Sequence, residues 1–398
     1  MSDYLPEEVI IQILHNLPVK SLIKCTSVCK LWHSLIKNPN FISAQIAKTS
    51  SINIKSNPNP LLLSHFDDNQ YSLGFDNQEF KDYMPLHFPF KSDARYFQAV
   101  AVGYSNGLLC LCDRRETLSR YKDKFILWNP SIRKSFTLPQ PNFSLAICYL
   151  CNDFVGFGFD SNANDYKLFR MIMHLDDCGK IQEPKIQIEI YSLNLNLWKI
   201  ITGNAPTCWI EKQMVNRCPL QNAAYVNNAL HWIAYYSNDS TDDHGSLFRY
   251  FILVFDLKDE VFREIMLPNS MTMSGAFRHH VKVFGDSSIG VFDIAPHLCW
   301  TDIWVMKEYG VAESWVNLPK VGDQKMGILR VLGFKKNGEV ILEFGSGQSS
   351  ASIPYAFVDT YLESLALFDK GNVVKKKSSK ERHILSGRVK FYSVLSLN

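Results

Sequence analysis

Between Leu5 and Phe41 the chain reads LPEEVIIQILHNLPVKSLIKCTSVCKLWHSLIKNPNF, a stretch that spells out a small helical unit with little of its own to pack against. Ile10, Ile13, Leu14 and Leu17 fall at i, i+3, i+4 and i+7, which predicts one apolar stripe along a helix. Pro6, Glu7 and Glu8 occupy its first turn, where a proline is tolerated and carboxylates suit the positive helix end. Pro18 stops that helix. Leu22, Cys25, Cys29, Trp32 and Ile36 then recur at alternating spacings of three and four, predicting a second helical stretch, whole or broken into two, and Pro39 closes the unit. So short a segment buries too little surface to fold robustly without a partner or a neighbouring domain. Its surplus Leu and Ile side chains therefore point to docking.

From about residue 58 onward the period changes from helical to alternating, with short runs rich in Val, Ile, Phe, Tyr and Trp between turn residues. One pattern repeats: a strand, a polar turn, an aromatic and, in most copies, a Leu-Pro exit. Leu127-Trp128-Asn129-Pro130 leads to Phe136 and Leu138-Pro139, Val254-Phe255-Asp256-Leu257 to Phe262 and Leu267-Pro268, and Ile303-Trp304-Val305-Met306 to Trp315 and Leu318-Pro319. Ile190-Tyr191-Ser192-Leu193 leads to Trp198 without the Leu-Pro. Further hairpin strands precede several copies, at Asn106-Gly107-Leu108-Leu109-Cys110, Asn228-Ala229-Leu230-His231-Trp232 and Gly290-Val291-Phe292, and Asn337-Gly338 is another tight turn. Units of ~40–50 residues over this length make a β-propeller-like fold of six or seven blades, whose radial closure hides the strand edges. A two-sheet sandwich is the alternative, against which the aromatic repeat argues.

The chain has 398 residues, 46% hydrophobic and 20% charged, so it suits a short module plus one large, well-cored domain. A net charge of +3 gives no argument for nucleic acid or an anionic membrane. MSDYLPEE is not a secretory signal and no long apolar run is present, so the expectation is a protein that works inside the cell, in the cytoplasm. Lys375-Lys376-Lys377 with Lys380 and Arg382 reads as a solvated run, with a nuclear address as its alternative. The cysteines then read as reduced, small hydrophobes, Cys110 and Cys112 on one strand face among them; Cys148-x-x-Cys151 lacks a second pair to complete a zinc site. The sequons at Asn142 and Asn238 are idle in that compartment.

No catalytic constellation emerges, and no metal or cofactor is expected. Gly156-Phe157-Gly158 has Ser161 where a third glycine of a dinucleotide loop belongs, and Gly345-Ser346-Gly347 lacks the strand-to-helix elbow of a hydrolase nucleophile. His279-His280 would point to opposite faces of a strand and reads as surface loop histidines, while Asp176-Asp177 and Asp242-Asp243 read as solvated loops.

The N-terminal unit resembles an F-box, the module by which substrate receptors hang on the Skp-family adaptor of a cullin-based ubiquitin ligase. The resemblance is carried by Leu5-Pro6-Glu7-Glu8, Ile13-Leu14, Leu17-Pro18-Val19-Lys20-Ser21-Leu22, Val28-Cys29-Lys30, Trp32, Leu35-Ile36 and Pro39-x-Phe41. It extends along the β region: Gly103-x-Ser105-Asn106-Gly107-Leu108, Leu127-Trp128-Asn129-Pro130-Ser131-x-Arg133-Lys134, Gly156-Phe157-Gly158-Phe159-Asp160 with Asp165-Tyr166-Lys167, and Ile303 to Val311 with Ser314-Trp315 are similar to plant F-box proteins with the F-box-associated, kelch-like domain. That family includes S-locus F-box and defence-related members. The paired glycines of true kelch repeats are missing.

The resemblance implies an F-box at residues 1–47, a linker at 48–57, a substrate-binding β domain at 58–370, and a basic polar segment and tail at 371–398. It implies adaptor contacts from Leu5, Pro6, Ile10, Ile13, Leu14, Leu17, Pro18, Leu22, Ile23, Cys29, Trp32, Leu35 and Ile36. The implied function is that of a non-catalytic substrate receptor of an SCF-type ligase, joined to a cullin through the adaptor and holding a target protein. A non-ligase scaffold, and a propeller enzyme or lectin, are the other readings.

Overall fold

The computed structural model describes residues 5–52, 61–65, 70–74, 82–86, 98–116, 121–144, 151–174, 185–203, 205–211, 220–237, 248–268, 271, 278–295, 300–322, 328–334, 338–344, 358–370, 372–373 and 392–395. The architecture is a short helical module followed by a propeller-like series of sheets. Two compact units divide it: residues 1–114, 124–138 and 359–379 form the first, and residues 115–123, 139–358 and 380–398 the second.

The first unit opens with α1 (Glu7–His15), α2 (Val19–Cys25), α3 (Lys30–Lys37) and α4 (Pro39–Ile52). Prolines punctuate these helices as their missing N–H dictates. Pro6 caps α1 and Pro18 caps α2, each with its carbonyl accepting from the first helical turn. The second helical stretch is broken after Cys25, and Cys29 restarts it, its Sγ accepting from the Trp32 N–H at 3.5 Å. Pro39 does not close the unit, as the sequence suggests, but starts α4. That helix runs through the boundary expected at residue 47, so Lys48–Ile52 are helix rather than linker; residues 53–57 lie outside the described residues.

Two sheets complete this unit. Leu61–His65 (β1), Gln70–Gly74 (β2) and Asp82–Leu86 (β3) form one; Gln98–Ser105 (β4), Leu108–Glu116 (β5), Tyr121–Asn129 (β6) and Lys134–Thr137 (β7) form the next.

The second unit stacks four sheets in chain order. Cys151–Asp160 (β8), Asp165–His174 (β9), Lys185–Ser192 (β10) and Leu197–Ile201 (β11) make the third sheet of the molecule. The fourth holds Trp209–Ile210 (β12), Ala224–Val226 (β14), Ala229–Ser237 (β15), Phe248–Asp256 (β16) and Phe262–Met266 (β17), while Leu220–Asn222 (β13) pairs in parallel with β8. The fifth is Arg278–Phe284 (β18), Ser288–Ala295 (β19), Trp300–Met306 (β20) and Trp315–Gly322 (β21). Ile328–Phe334 (β22) and Val340–Phe344 (β23) begin the sixth.

The chain then returns. Val358–Thr360 (β24) joins β1, Asn372–Val373 (β25) joins β7, and Tyr392–Leu395 (β26) pairs antiparallel with β23. The segment expected as a basic tail at 371–398 thus supplies β25 and β26. The alternating Tyr392-Ser393-Val394-Leu395 is short enough to be hidden from a periodicity reading by the lysines before it. The lysine run itself lies outside the described residues.

Burial explains why these strands lack clean polar–apolar alternation: in the second unit the fourth and fifth sheets are covered on both faces. Phe169, Met171, Leu230, Trp232, Phe251 and Phe255 meet between the third and fourth sheets. Ile233, Ile252, Val254, Val291, Met306 and Trp315 meet between the fourth and fifth, and Phe292, Ile303, Val331 and Val340 between the fifth and sixth. The period of two sorts β15 between neighbours, Leu230, Trp232 and Ala234 to one side, Ala229 and Ile233 to the other.

The repeated aromatic has one address. Trp198, Phe262 and Trp315 lie opposite Tyr191, Phe255 and Met306, at or near the start of the last strand of their sheets, and Phe136 lies opposite Leu127 within β7. The two tryptophans tie back to the chain that follows an earlier last strand or ends it: Trp198 Nε1 donates to the Pro139 carbonyl at 2.9 Å and Trp315 Nε1 to that of Met266 at 3.0 Å.

Candidate docking surface and buried polar clusters

In the helical module the apolar residues separate into an inner and an outer set. Ile10, Leu14, Val19, Leu22, Leu35 and Ile36 are buried, together with Phe41, Ile42 and Ile46 of α4. The fourth helix closes over the end of α1: Phe41 stacks on His15 at 4.1 Å, Gln45 reaches His15 at 3.2 Å, and the Lys48 ammonium donates to the His15 carbonyl at 3.2 Å. Leu5 (56%), Val9 (37%), Ile13 (44%), Val28 (63%) and Leu31 (43%) are exposed.

A helix with Val9, Ile10, Ile11, Ile13 and Leu14 among nine residues is apolar around most of its circumference, and its own module covers only one side. Of the residues expected to hold an adaptor, Ile10, Leu14, Leu22, Leu35 and Ile36 are internal and serve the fold of the module. Leu17, Ile23 and Trp32 are half-buried, and Leu5, Pro6, Ile13, Pro18 and Cys29 are exposed. Val9, Val28 and Leu31, also exposed, are not among the adaptor contacts the sequence implies. Their signal was present, since Val9 lies four residues before Ile13 on the helix.

The return segment Asp359–Lys370 is stapled within the first unit by the motifs of the second sheet. Asn129 Nδ2 donates to the carbonyls of Ser364 at 3.0 Å and Ala366 at 2.7 Å, and the Ser131 and Tyr361 hydroxyls meet at 2.6 Å. The Tyr104 hydroxyl accepts from the Leu362 N–H at 2.6 Å, and Lys134 Nζ reaches the Lys370 carbonyl at 3.3 Å. Gly107, at φ +86°, leaves room for this segment: a Cβ there would sit 2.1 Å from Ser364 Oγ. Burial, with Lys37 nearby adding to it, pushes the Lys134 ammonium down from its ordinary value. From the same segment Glu363 pairs with Lys20 of α2 at 2.8 Å.

The second unit buries charge. Arg170 of β9 is fully enclosed and reaches Asp123 at 2.7 Å, Asp153 at 2.9 Å, Glu189 at 3.2 Å and the Phe143 carbonyl at 2.7 Å. Glu189 also accepts from the Asn142 N–H at 2.8 Å, so the hub pins the chain after β7 to the third sheet. Burial pushes the Glu189 carboxyl up, against the lowering pull of Arg170. Lys167 bonds the Asp160 carboxylate at 2.9 Å and the Leu257 carbonyl at 2.6 Å, and Asp160 itself accepts from the N–H groups of Asn162 and Ala163.

His231 of β15 is enclosed between the Ala224 carbonyl at 3.0 Å and the Tyr309 hydroxyl at 2.7 Å, and burial pushes it down to about 4. His279 and His280 are buried strand residues rather than surface loop residues, because β18 begins just before them.

Gly156 and Gly158 owe their place to packing. A Cβ at the first would lie 2.6 Å from Leu230, and at the second 2.3 Å from the Tyr225 ring. Cys110, Cys112 and Cys208 are buried cysteines, Cys208 pushed up to about 12 by burial. Among the described residues no cluster of His, Cys, Asp and Glu has metal-binding geometry. Gly345-Ser346-Gly347, Asp176-Asp177, Asp242-Asp243, Cys148, Asn238 and Asn337 lie outside the described residues.

Comparison with known proteins agrees with this layout. Residues 2–45 match the F-box-like family model, and residues 70–345 match that of the F-box associated beta propeller domain. F-box protein At3g07870 of Arabidopsis thaliana is 27% identical over 383 residues, covering 86% of this chain and 83% of that protein. F-box/kelch-repeat protein At3g23880 of the same plant is 27% identical, covering 86% of each chain, and F-box protein CPR1 is 25% identical, covering 85% and 79%. Among solved structures the GH93 alpha-L-arabinofuranosidase of Fusarium graminearum is 10% identical at a TM-score of 0.41, covering 76% of this chain and 93% of that one; the likeness carries no argument. With more than half of its length matched, the chain belongs to the F-box proteins that carry an F-box associated beta propeller domain.

Proposed function

We propose that the chain is the substrate-recognition subunit of an SCF-type ubiquitin ligase, holding a Skp-family adaptor through its helical module and a target protein through its sheets. The observation that carries this reading is the outer apolar set, Leu5, Val9, Ile13, Val28 and Leu31, on a module whose inner set is already packed. Large apolar side chains left outside a packed core mark a protein interface. Family membership supports a Skp-family adaptor as the partner and, through it, a cullin. The receptor then acts by proximity: it holds a target lysine near the charged ubiquitin carrier and raises its effective concentration, with no reacting group of its own. Cytoplasm, with access to the nucleus, is the compartment this role requires.

The test separates inner from outer residues. Ile13→Asp with Val9→Ser should abolish co-purification with adaptor and cullin, since losing one such anchor costs about 2–4 kcal/mol, while the sheets keep their melting temperature. Undiminished capture by that well-folded variant contradicts the assignment. Leu22→Ala is a poor probe because Leu22 is fully buried, and its loss would unpack the module itself.

A further inference from the structure

His279 is the second residue of β18, and its side chain is fully enclosed. Nδ1 faces a carboxylate oxygen of Glu211 at 3.7 Å, and Nε2 faces Asp293 Oδ1 at 3.4 Å. Glu211 follows β12 in the fourth sheet, whereas Asp293 lies directly opposite His279 in the fifth. The three groups therefore straddle the junction of two sheets. From the fourth sheet the Tyr250 ring lies 4.9 Å from the imidazole, and Tyr235 lies 5.3 Å beyond it. In the fifth sheet Asp302 lies opposite Asp293 and pairs with Lys320 at 3.1 Å. A polar row thus crosses the sheet, from an enclosed imidazole to a lysine that is 59% exposed.

Neither ring nitrogen of His279 nor Asp293 Oδ1 makes a hydrogen bond, and all three atoms are buried. So many orphaned polar atoms in one place call for a cause. A neutral imidazole has one N–H and one lone pair, yet here both nitrogens face carboxylate oxygens. If both acids were ionised and the ring neutral, a lone pair would face an anion where water is excluded. One added proton removes the conflict, either as an imidazolium between two carboxylates or as a carboxyl donating to the ring.

We propose that Glu211, His279 and Asp293 share one buried proton at neutral pH, and that this proton holds the fourth and fifth sheets together at that end of their junction. The surroundings favour it. Burial pushes the Asp293 carboxyl up to about 6, with Asp302 adding to the rise and His279 and Lys320 opposing it. Burial also pushes the Tyr250 and Tyr235 hydroxyls up, so these rings stay neutral beside the trio.

The sign follows from linkage. In the unfolded chain, carboxylates and imidazole are almost proton-free at pH 7.5. The folded trio keeps its proton, so folding takes one up, and the stabilisation is lost as pH rises. Asp293, raised above its ordinary carboxyl value by burial, acts in the same sense. Opening of the junction should increase with pH, approaching tenfold per unit at most.

Hydrogen exchange of the full chain, read on peptides covering β16 and β18 and corrected for intrinsic base catalysis, measures that opening. Between pH 7 and 9 the native chain should open several-fold more, with β22 and β23 as the reference. Asp293→Asn should remove the dependence, because its amide donates to one ring nitrogen while the other N–H serves Glu211. If that variant does not fold, Glu211→Gln removes the same conflict from the other side. A flat native profile, or equal slopes in native chain and folded variant, overturns the proposal. Nitrogen NMR of the His279 ring gives a second reading: a neutral ring at pH 7 with both carboxyl carbons ionised overturns it as well.

Discussion

The helical module and the sheets of the second unit bury opposite kinds of side chain. Around α1 the charged Glu7 and Glu8 are outside and so are Val9 and Ile13, because four short helices offer too little interior for their own apolar residues. In the second unit Arg170, Asp153 and Glu189 lie inside, fully enclosed, because each successive sheet covers the last and polar groups must find partners there. A module that cannot enclose its own apolar surface depends on what docks to it. Sheets that enclose even their charges find partners for them within their own fold.

Breaking the buried hub tests this contrast most severely. Arg170→Leu strands three carboxylates around an apolar side chain, and removing one partner of a buried ion pair costs about 3–5 kcal/mol. Urea unfolding followed by tryptophan fluorescence should show a correspondingly lower midpoint. A midpoint within error of the native chain would mean that the carboxylates are solvated and the hub is no anchor.

The repeated aromatics sharpen the comparison within the sheets. Trp315 is buried between the fourth and fifth sheets, so Trp315→Ala should cost about 3–5 kcal/mol. Trp198 is half-buried against Tyr191, at 5.5 Å between ring centroids, and its Nε1 donates to the Pro139 carbonyl. Trp198→Ala should therefore cost nearer ~1 kcal/mol, about one hydrogen bond. Equal losses in thermal unfolding would show that position in the repeat, rather than enclosure, sets the energy.

Inner and outer faces of one helix provide the next test. Leu14 is fully enclosed and Leu14→Ala should cost about 2–5 kcal/mol, whereas Ile13→Ser one residue away should change stability by no more than about 0.5 kcal/mol. Adaptor binding should show the reverse order once the folded fraction is matched. If Ile13→Ser unfolds the module as Leu14→Ala does, the outer set belongs to the fold.

Much of this was legible in the sequence, for reasons that differ along the chain. Helix spacing and the prolines located α1 and the break before α2, because both act through local geometry. Which of Ile10 and Ile13 faces inward was not legible, since it depends on α4 closing over His15. The turns and aromatics of the repeat pointed to the sheets, and the motifs of the helical unit and of the β region together, Leu127 to Lys134 among them, pointed to the family. That Asn129, Ser131 and Lys134 all grip a segment near residue 365 lay beyond any local reading, because more than two hundred residues separate the partners. The polar clusters were hidden for the same reason: the Asp123 and Glu211 that meet Arg170 and His279 come from other parts of the chain.

The smallest expected effect probes the tether between the helices and the return segment. Lys20 and Glu363 meet at 2.8 Å, but their side chains are 56% and 33% exposed. Solvent and salt screen such a pair, and the long lysine loses rotamer freedom in making it, so Lys20→Ala should cost well under about 1 kcal/mol. The return segment, by contrast, is held by Asn129 through buried hydrogen bonds, and Asn129→Ala leaves the Ser364 and Ala366 carbonyls to find other donors, at about 1–3 kcal/mol. Hydrogen exchange of residues 359–370 in the two variants should thus rise in Asn129→Ala and stay unchanged in Lys20→Ala. If Lys20→Ala loosens the segment as much, the helices hold it in place, and adaptor binding to the helical module would then feed directly into the order of the β domain's return strand.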